Sequence, residues 1–499
     1  MDDYRLIADE IADAITGGRL RPGQQLPTQR AFARSRGIAN STAGRVYREL
    51  TLRGLTTGEV GRGTFVRAGQ GAGGGATGGQ VALAEPAGAP VDLELNYPAV
   101  PEQAALLAAG LAPLLRADAL GAALAPVGAA GTGAARQAFA ALLSDERRTG
   151  GDRAGGDPSA GDRTAGDQTA GDRTAGDQTA GDRTAGDRTG GSREVTPEIA
   201  GEELLFAGNG RQAIAAALSA LVPPGHRLGV EALTYPVVKA VAQRLGITLV
   251  PLAVDEHGLL PDAVAAAHRA APLRAVYVQP RLQNPLGGSL PYERTAALAE
   301  ELRRLDLPAV EDAIWSFLRP ERTALASLAP ERTVLVDSLS KRLAPGLTTG
   351  FAVVPAALRE RIAGALRSGG WTPSGFALEA AVRWIGDGTV AEVAAAKRAD
   401  AVARQLLARE ALAGQRVRAD PCSYYLWWEL PAAWRAETFV AVAARASIAV
   451  TPAAAFAADP RRSPSAVRVA LASPPLPVLA QALETLARIA RGTAEEWME

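Results

Sequence analysis

Residue types that commonly build disulfides and metal sites are scarce in this chain. Cys422 is the single cysteine, so no disulfide can form within the chain. Three scattered histidines (His226, His257 and His268) provide no metal-ligand cluster. No run of about 18 apolar residues is present, and the start, MDDYRLIADE, is acidic. We therefore expect no membrane span, no signal peptide and a reducing, cytoplasmic setting.

Lysine is almost absent as well. Lys239, Lys341 and Lys397 are the only lysines, because arginine carries the basic charge. Any chemistry that requires an amine side chain therefore has three candidates.

The chain is too long for a single core, since it has 499 residues, of which 47% are hydrophobic. Residues 68–90 are rich in glycine and alanine, which predicts a flexible linker. A unit TAGDR or TAGDQ repeats within residues 147–193 and holds no large apolar residue, which predicts a disordered insertion. It is either a spacer or a tolerated repeat expansion. We expect four parts: 1–67, the linker 68–90, 91–373 with the insertion 147–193, and 374–499.

Strand-like and helix-like segments alternate from Leu204 onwards. The runs LLFAG, AVYVQP, LPAVEDA and TVLVDSLS are apolar and each ends in polar, Gly or Pro signals. This predicts an α/β large domain with a largely parallel sheet, whose functional residues lie at the carboxyl ends of the strands. From about Ser374, Ala-rich segments continue into SYYLWWEL and VRVALAS, which predicts a smaller α+β domain.

The first 67 residues indicate three helices followed by a hairpin. Thr28 is a candidate N-cap for a helix that ends at Gly37, and Asn40 or Ser41 is one for a helix that ends at Gly54. The hairpin segment is TTGEVGRGTFV. Helix, helix–turn–helix and hairpin together are the layout of a winged helix.

Residues 4–67 resemble the GntR-type winged helix. LPTQRAFA is similar to the family pattern L-P-S-x-R-x-L-A, with Thr28 and Phe32 as mild departures, and GRGTFV is similar to the wing pattern G-x-G-T-F-V. The resemblance implies binding of double-stranded DNA. A recognition helix places its N-terminal residues in the major groove. The expected DNA contacts are Arg30, Ser41, Thr42, Arg45, Arg62 and Gly63.

The charge of this segment agrees with a polyanionic partner. Residues 30–67 hold eight arginines against two glutamates, a local charge of +6 on a chain of zero net charge.

A second resemblance covers the large domain. DSLSKRLAPGLTTGFAV resembles the lysine motif S-K-x-x-x-P-G-L-R-x-G of fold-type I aminotransferases. These enzymes use pyridoxal 5'-phosphate (PLP), which requires an amine, an anion at the pyridine nitrogen, an aromatic group on the ring, a donor to the ring oxygen and a phosphate cradle. The resemblance makes Lys341 the catalytic residue that carries PLP.

The other cofactor residues follow from the same resemblance. Asp312 in LPAVEDA would pair with the pyridine nitrogen, with Glu311 as the adjacent alternative. Asn284 in the turn QNPLGG would donate to the ring oxygen, and Tyr235 in ALTYP would stack on the ring. The remaining assignments are phosphate binding by Gly210, Arg211 and Ser338, and binding of a substrate or effector carboxylate by Arg468. A structural salt bridge is the alternative role for Arg468.

Two positions depart from the family pattern. Thr348 stands where an arginine usually faces the phosphate, and Arg211 or Arg342 is a candidate substitute. Ile314 and Trp315 stand where a tyrosine usually donates to the ring oxygen. Binding of PLP remains the expectation, whereas efficient transamination is less well supported.

The whole arrangement resembles the MocR subfamily of GntR-type regulators, in which a winged helix is fused to a fold-type I aminotransferase-like domain. This resemblance implies a PLP-binding transcription factor that acts as a homodimer and senses PLP or an amino compound. The alternative is a working aminotransferase with an attached DNA-binding module. A third possibility is a scaffold that binds DNA without cofactor.

Overall fold

The structure is a computed structural model that describes residues 4–16, 19–20, 24–53, 55–59, 63–66, 89–151, 201–459, 462–493 and 496–497. Most of the expected linker and of the repeat insertion lies outside these residues, and Arg62 does too. Within them, no helix is long and apolar enough to cross a membrane.

The N-terminal domain consists of three helices and a two-stranded antiparallel hairpin. Its elements are α1 (Tyr4–Thr16), α2 (Gln29–Arg36), α3 (Asn40–Leu52), β1 (Thr56–Glu59) and β2 (Gly63–Val66). Thr28 caps α2 by accepting from the amide of Ala31, and Gly37 ends it with a φ of 64°. Apolar side chains from all three helices form one small core around Val46 and Leu50.

The start of α3 differs from the sequence expectation. Its N-cap is Ala39, which makes no side-chain cap, so Asn40 and Ser41 lie in the first turn. Ala39 already has the extended backbone of an N-cap residue. The shift leaves Ser41 exposed at the amino end of the helix, which is the end that a recognition helix presents to DNA.

The large domain is built on a seven-stranded sheet. The strands are β4 (Leu204–Ala207), β5 (Arg227–Glu231), β6 (Thr248–Leu252), β9 (Ala275–Val278), β10 (Ala309–Asp312), β11 (Thr333–Ser338) and β12 (Gly350–Val353), and β7 (Val254–Asp255) and β8 (Gly258–Leu259) form a separate hairpin. The order is β4-β12-β11-β10-β9-β5-β6. Strand β12 runs antiparallel to both neighbours, and the other pairs are parallel. The predicted largely parallel sheet is confirmed.

Helices accompany this sheet, and buried alanine, valine and leucine side chains fill the space between the two layers. They are α4 (Gln103–Leu111), α5 (Ala117–Ala123), α6 (Gly133–Gly151), α7 (Gly210–Leu221), α8 (Pro236–Arg244), α9 (Pro261–Ala270), α10 (Tyr292–Arg304), α11 (Leu325–Leu328), α12 (Leu339–Arg342), α13 (Arg359–Ser368) and α14 (Gly375–Gly386). Helix α6 extends to Gly151, a few residues into the segment that the sequence assigned to the insertion.

The C-terminal part forms a second sheet with three helices. Its elements are α15 (Thr389–Ala411), β13 (Arg416–Arg418), β14 (Tyr425–Glu429), α16 (Ala436–Arg445), β15 (Ile448–Pro452), β16 (Ala466–Ala470) and α17 (Leu476–Arg491), with β3 (Val91–Leu93) as the fifth strand. The strand order is β13-β14-β16-β15-β3.

Strand β3 corrects one expected boundary. Residue 91 was expected to begin the large domain, but Val91–Leu93 pairs in parallel with β15 of the second sheet. Leu93 is fully buried in the core of that sheet, which explains the pairing because an apolar edge segment gains most where it covers an apolar face. The chain that follows the linker is therefore attached to the small domain first.

Candidate functional site

The carboxyl ends of the central parallel strands meet at one edge of the large sheet, where the predicted cofactor residues lie. Asp312 ends β10, Ser338 ends β11, and α12, which carries Lys341, begins directly after Ser338. The short helix is capped by the Ser338 side chain, which accepts from the amide of Ser340. This is the edge at which open α/β sheets bind ligands.

Lys341 points into a mostly buried environment between the two sheets. Its Nζ donates to the backbone oxygen of Asn96 and lies 4.9 Å from the ring centre of Tyr97 and 5.5 Å from that of Trp315. Burial lowers the pKa of Lys341 to about 7, and the positive charges of Arg211, Arg468 and Lys397 add to this shift. A lysine with this pKa is partly neutral at neutral pH, as a nucleophilic amine requires.

Asp312 is held by two side chains that the sequence analysis did not single out. Its Oδ2 accepts from the Tyr277 hydroxyl at 2.5 Å and from Gln279 Nε2 at 2.9 Å, and its Oδ1 accepts from the amide of Ile314. Burial raises the pKa of Asp312, and these donors oppose the shift because they stabilise the carboxylate. The sequence held a signal for them, since Gln279 directly follows β9 and lies two residues after Tyr277, a spacing that places both side chains on the same side of an extended segment.

Asn284 and Arg468 face each other across the two sheets. Asn284 Oδ1 accepts from Arg468 Nη1 at 3.3 Å, and Arg468 Nη2 donates to Thr451 Oγ1 and to the backbone oxygen of Glu94. Burial lowers the pKa of Arg468 to about 10. Within the described part of the chain, the side-chain hydrogen bonds of Arg468 go to these neutral oxygens, and its buried Nε has no hydrogen-bond partner.

Tyr235 and Arg211 are close neighbours at the same edge. Burial raises the pKa of Tyr235, and the positive charge of Arg211, in the first turn of α7, opposes that shift. The structure therefore brings Tyr235, Arg211, Asn284, Asp312 and Lys341 to one site, with Arg468 arriving from the small domain.

The loop before α7 is shaped to receive an anion. A side chain at Gly210 would press against Ser338, whose Oγ lies 3.2 Å from that position, and one at Gly350 would overlap the backbone of Asn209. The absence of both Cβ atoms lets the amide end of α7 approach β11 and β12. Among the described residues, the buried Thr348 Oγ1 and Gln212 Oε1 have no hydrogen-bond partner. Thr348, Ser338 and the amides of α7 fit the phosphate of PLP.

The two departures from the family pattern have structural consequences. Arg342 cannot replace the missing phosphate arginine, because it is fully buried and pairs with Asp337 at 2.7 Å. This corrects one of the two substitutes considered from the sequence. Ile314 and Trp315 stand where the family has the tyrosine, and the ring centre of Trp315 lies 5.5 Å from Lys341 Nζ.

The predicted DNA contacts that the structure describes lie on one domain and are accessible. Arg30 on α2 and Ser41 and Arg45 on α3 are exposed, and Thr42 is half-buried. Gly63 opens β2 with a φ of 118°, a conformation that strongly favours glycine. Arg62 lies outside the described residues.

One arginine of the basic segment does not belong to this surface. The side chain of Arg53 is buried and pairs with Asp9 at 2.7 Å and with Glu49 at 3.0 Å, so it does not add to the charge that DNA would meet. Asp9 and Glu49 were not singled out from the sequence, since a carboxylate on a surface helix is an ordinary feature.

The same carboxylates join the winged helix to the small domain. Asp9 accepts from Arg435 Nη2 at 2.8 Å, and Glu49 accepts from Thr438 Oγ1 at 2.6 Å. Arg435 and Thr438 lie at the start of α16. The small domain therefore contacts the winged helix through α16 and the candidate cofactor site through Arg468 on β16.

Comparison with known proteins confirms the two halves of this arrangement. Residues 3–66 match the family model described as "Bacterial regulatory proteins, gntR family". The chain is 31% identical to an uncharacterized HTH-type transcriptional regulator, YdeF, of Bacillus subtilis over 58% of this chain and 64% of that protein. It is 32% identical to the HTH-type pyridoxine biosynthesis transcriptional regulator PdxR of Corynebacterium glutamicum over 31% of this chain and 33% of that protein. These matches span less than two thirds of either relative.

The remaining chain has the fold of an aminotransferase. The crystal structure of LysN, an alpha-aminoadipate aminotransferase from Thermus thermophilus complexed with N-(5'-phosphopyridoxyl)-L-leucine, superposes with a TM-score of 0.63 over 81% of this chain and 92% of that one, at 20% identity. The predicted fold class, a GntR-type winged helix followed by an aminotransferase-like α/β domain, is confirmed.

Proposed function

We propose that this protein is a PLP-binding transcriptional regulator of the MocR type. It binds double-stranded DNA through the winged helix and uses the aminotransferase-like domain to sense PLP or an amino compound that reacts with it. The proposal includes a homodimer and a cytoplasmic location, where DNA and PLP are both present. The observation that carries it is the small domain, which contacts the cofactor site through Arg468 and the DNA-binding domain through Arg435 and Thr438.

The residues at the sheet edge fit PLP in kind and in position. Lys341 supplies the amine, Asp312 a carboxylate held by Tyr277 and Gln279, and the α7 end with Ser338 and Thr348 an anion cradle. When bound, PLP supplies an electron sink for chemistry at an amino group. Arg468 can bind a carboxylate, because its hydrogen-bond acceptors in this structure are neutral oxygens and a charged carboxylate binds a guanidinium group more strongly.

The residues that follow the linker are part of the same site. Glu94 and Asn96 follow β3 directly, and their backbone oxygens accept from Arg468 and Lys341. A carboxylate that binds Nη2 of Arg468 would compete with the backbone oxygen of Glu94, and use of the Lys341 amine would release the backbone oxygen of Asn96. We infer that ligand binding shifts the segment after β3 and the small domain, and thereby the spacing of the two DNA-binding domains in the dimer. A ligand changes such an equilibrium only if it makes different contacts in the two states.

A DNA titration tests this function. Full-length protein is titrated onto its own upstream DNA at one fixed salt concentration, with and without PLP. PLP is expected to change the midpoint for the native chain and to have no effect on Lys341→Ala, while the control Lys239→Ala responds as the native chain does. If the protein binds the DNA tightly and PLP does not change the affinity, the sensor role is rejected. If it shows no specific DNA binding, the aminotransferase reading is favoured.

The convergence of Lys341, Asp312 and Arg468 also favours a second candidate, a PLP-dependent aminotransferase that carries a DNA-binding module. Steady conversion of an amino acid and a 2-oxo acid, lost in Lys341→Ala, would support it. An unchanged visible spectrum after addition of PLP would contradict both candidates and leave a cofactor-free scaffold.

A further inference from the structure

The second buried lysine of the chain lies beside the first. Lys397, on α15, is fully buried, and its Nζ donates to the backbone oxygen of Lys341 at 3.0 Å and to that of Leu343. Both oxygens belong to the carboxyl end of α12, where no further helical turn supplies donors. The buried amine of Lys397 therefore closes the short helix that carries Lys341.

We propose that Lys397 is a positioning residue for Lys341, which fixes the helical turn that presents the Lys341 amine to PLP. The inference rests on the proposed role of Lys341 as the residue that carries PLP. Nothing in the sequence motif points to Lys397, because it lies 56 residues further along the chain.

Further hydrogen bonds hold the part of α15 that carries Lys397. The Tyr424 hydroxyl donates to the backbone oxygen of Lys397 at 2.8 Å and lies 2.9 Å from Oδ2 of Asp400. The same Asp400 oxygen accepts from Arg404, whose Nη1 donates to the backbone oxygens of Leu471 and Pro474. This chain of contacts runs from the turn of Lys341 to the end of β16 in the small domain, so both parts of the molecule hold Lys397 in place.

Lys397 also acts on Lys341 through its positive charge. The cationic groups that lower the pKa of Lys341 are Arg211 on α7, Arg468 on β16 and Lys397 on α15. Burial lowers the pKa of Lys397 itself to about 7, and the negative charge of Asp400 opposes that shift. Lys397 therefore favours the neutral amine of Lys341 while it holds the backbone of the same residue.

The test measures the lysine pKa values without cofactor. The full chain is labelled with trace acetic anhydride over a range of pH, and the acetylation of each of the three lysines is measured on separate peptides by mass spectrometry. Lys397→Met removes the donor and the charge, and Lys397→Gln removes the charge but keeps a donor. Lys239→Met is the matched control, because Lys239 also donates to two backbone oxygens, those of Ala454 and Ala455.

In the native chain, Lys341 is expected to titrate near 7, well below an ordinary lysine at about 10.4. Both Lys397 variants are expected to raise this pKa by about half a unit. Lys397→Met is also expected to slow PLP uptake at pH 7 several-fold, and Lys397→Gln to slow it less. Lys239→Met should change neither quantity.

Folded Lys397 variants with the native pKa of Lys341 and the native rate of PLP uptake would overturn the proposal. If Lys397→Met does not fold, Lys397→Gln decides. If the native chain takes up no PLP, the proposed cofactor role fails, whereas the labelling experiment still decides the role of Lys397.

Discussion

The hydroxyl of Tyr277 donates to Oδ2 of Asp312 across 2.5 Å, and both groups are buried. This bond stabilises the charged form of the carboxylate that would pair with the pyridine nitrogen of PLP. We expect Tyr277→Phe to weaken PLP binding about tenfold, since a hydrogen bond to a charged group contributes about 1.5–3 kcal/mol. The dissociation constant for PLP, followed by its absorbance, measures the effect.

Tyr292→Phe is the matched control, because Tyr292 is 53% exposed on α10 and lies outside the site. The control is expected to bind PLP as the native chain does. Equal affinity of Tyr277→Phe and the native chain would show that Asp312 does not need this donor.

Glu231 gives the protein a stability that depends on pH. It is fully buried at the end of β5, and burial raises its pKa to about 8, against donors from Gln279 and Gln283 that lower it. The folded state therefore keeps a proton that the unfolded state releases above about pH 4.3. This proton makes its full contribution to the free energy of unfolding below about pH 4.3. The contribution is lost as the pH rises from there towards 8, and the total loss is about 5 kcal/mol.

We expect Glu231→Gln to remove this loss, since the amide stays neutral in both states. Its unfolding free energy, from urea titrations at pH 5 and pH 8, should fall less with pH than that of the native chain. Glu484→Gln, an exposed change on α17, should keep the native dependence. The same decline in the native chain and in Glu231→Gln would exclude Glu231 as its source.

The sequence predicted the parts of the site whose residues are local in the chain. Lys341, Asp312 and Asn284 each follow or end an apolar strand, and parallel strands bring their carboxyl ends to one edge. The cap at Thr28 and the end at Gly37 followed from local backbone chemistry in the same way.

The parts that the sequence did not predict depend on contacts between distant segments. Lys397 meets Lys341 because α15 crosses the carboxyl end of α12, and no spacing in the sequence encodes that crossing. The pairing of β3 with the small domain was not predicted, because its partner, β15, lies more than 350 residues away in the sequence. Arg53 is similar to its neighbours in the sequence, and only its packing against Asp9 and Glu49 separates it from the DNA-binding arginines.

Arg45 is exposed on α3 and belongs to the predicted DNA contacts. We expect Arg45→Ala to weaken binding to the upstream DNA about tenfold. If Arg45 contacts a phosphate, the slope of log affinity against log salt should also fall by about one, because one fewer counterion is released. Fluorescence anisotropy at several salt concentrations measures both quantities.

Arg409→Ala provides the comparison for Arg45, since Arg409 is exposed on α15 in the small domain. Its loss should leave affinity and slope unchanged. A native affinity in Arg45→Ala would remove this residue from the DNA-binding surface.

The contact between α16 and the winged helix should carry the response to PLP. Glu49 is 4% exposed and accepts from Thr438, while Arg435 pairs with Asp9. The double variant Arg435→Ala with Thr438→Val removes both links and changes no residue of the cofactor site or of the predicted DNA surface. We expect native affinities for PLP alone and for DNA alone, with loss of the effect of PLP on the DNA midpoint.

Arg445→Ala is the control for this experiment, because Arg445 is exposed at the far end of the same helix. It should keep the native response to PLP. A double variant that still responds as the native chain does would show that the signal reaches the DNA-binding domain by another route, such as the segment after β3. A double variant that loses DNA binding altogether would instead assign these side chains a role in the stability of the winged helix, since among the described residues Glu49 and Asp9 would then keep only their ion pairs with Arg53.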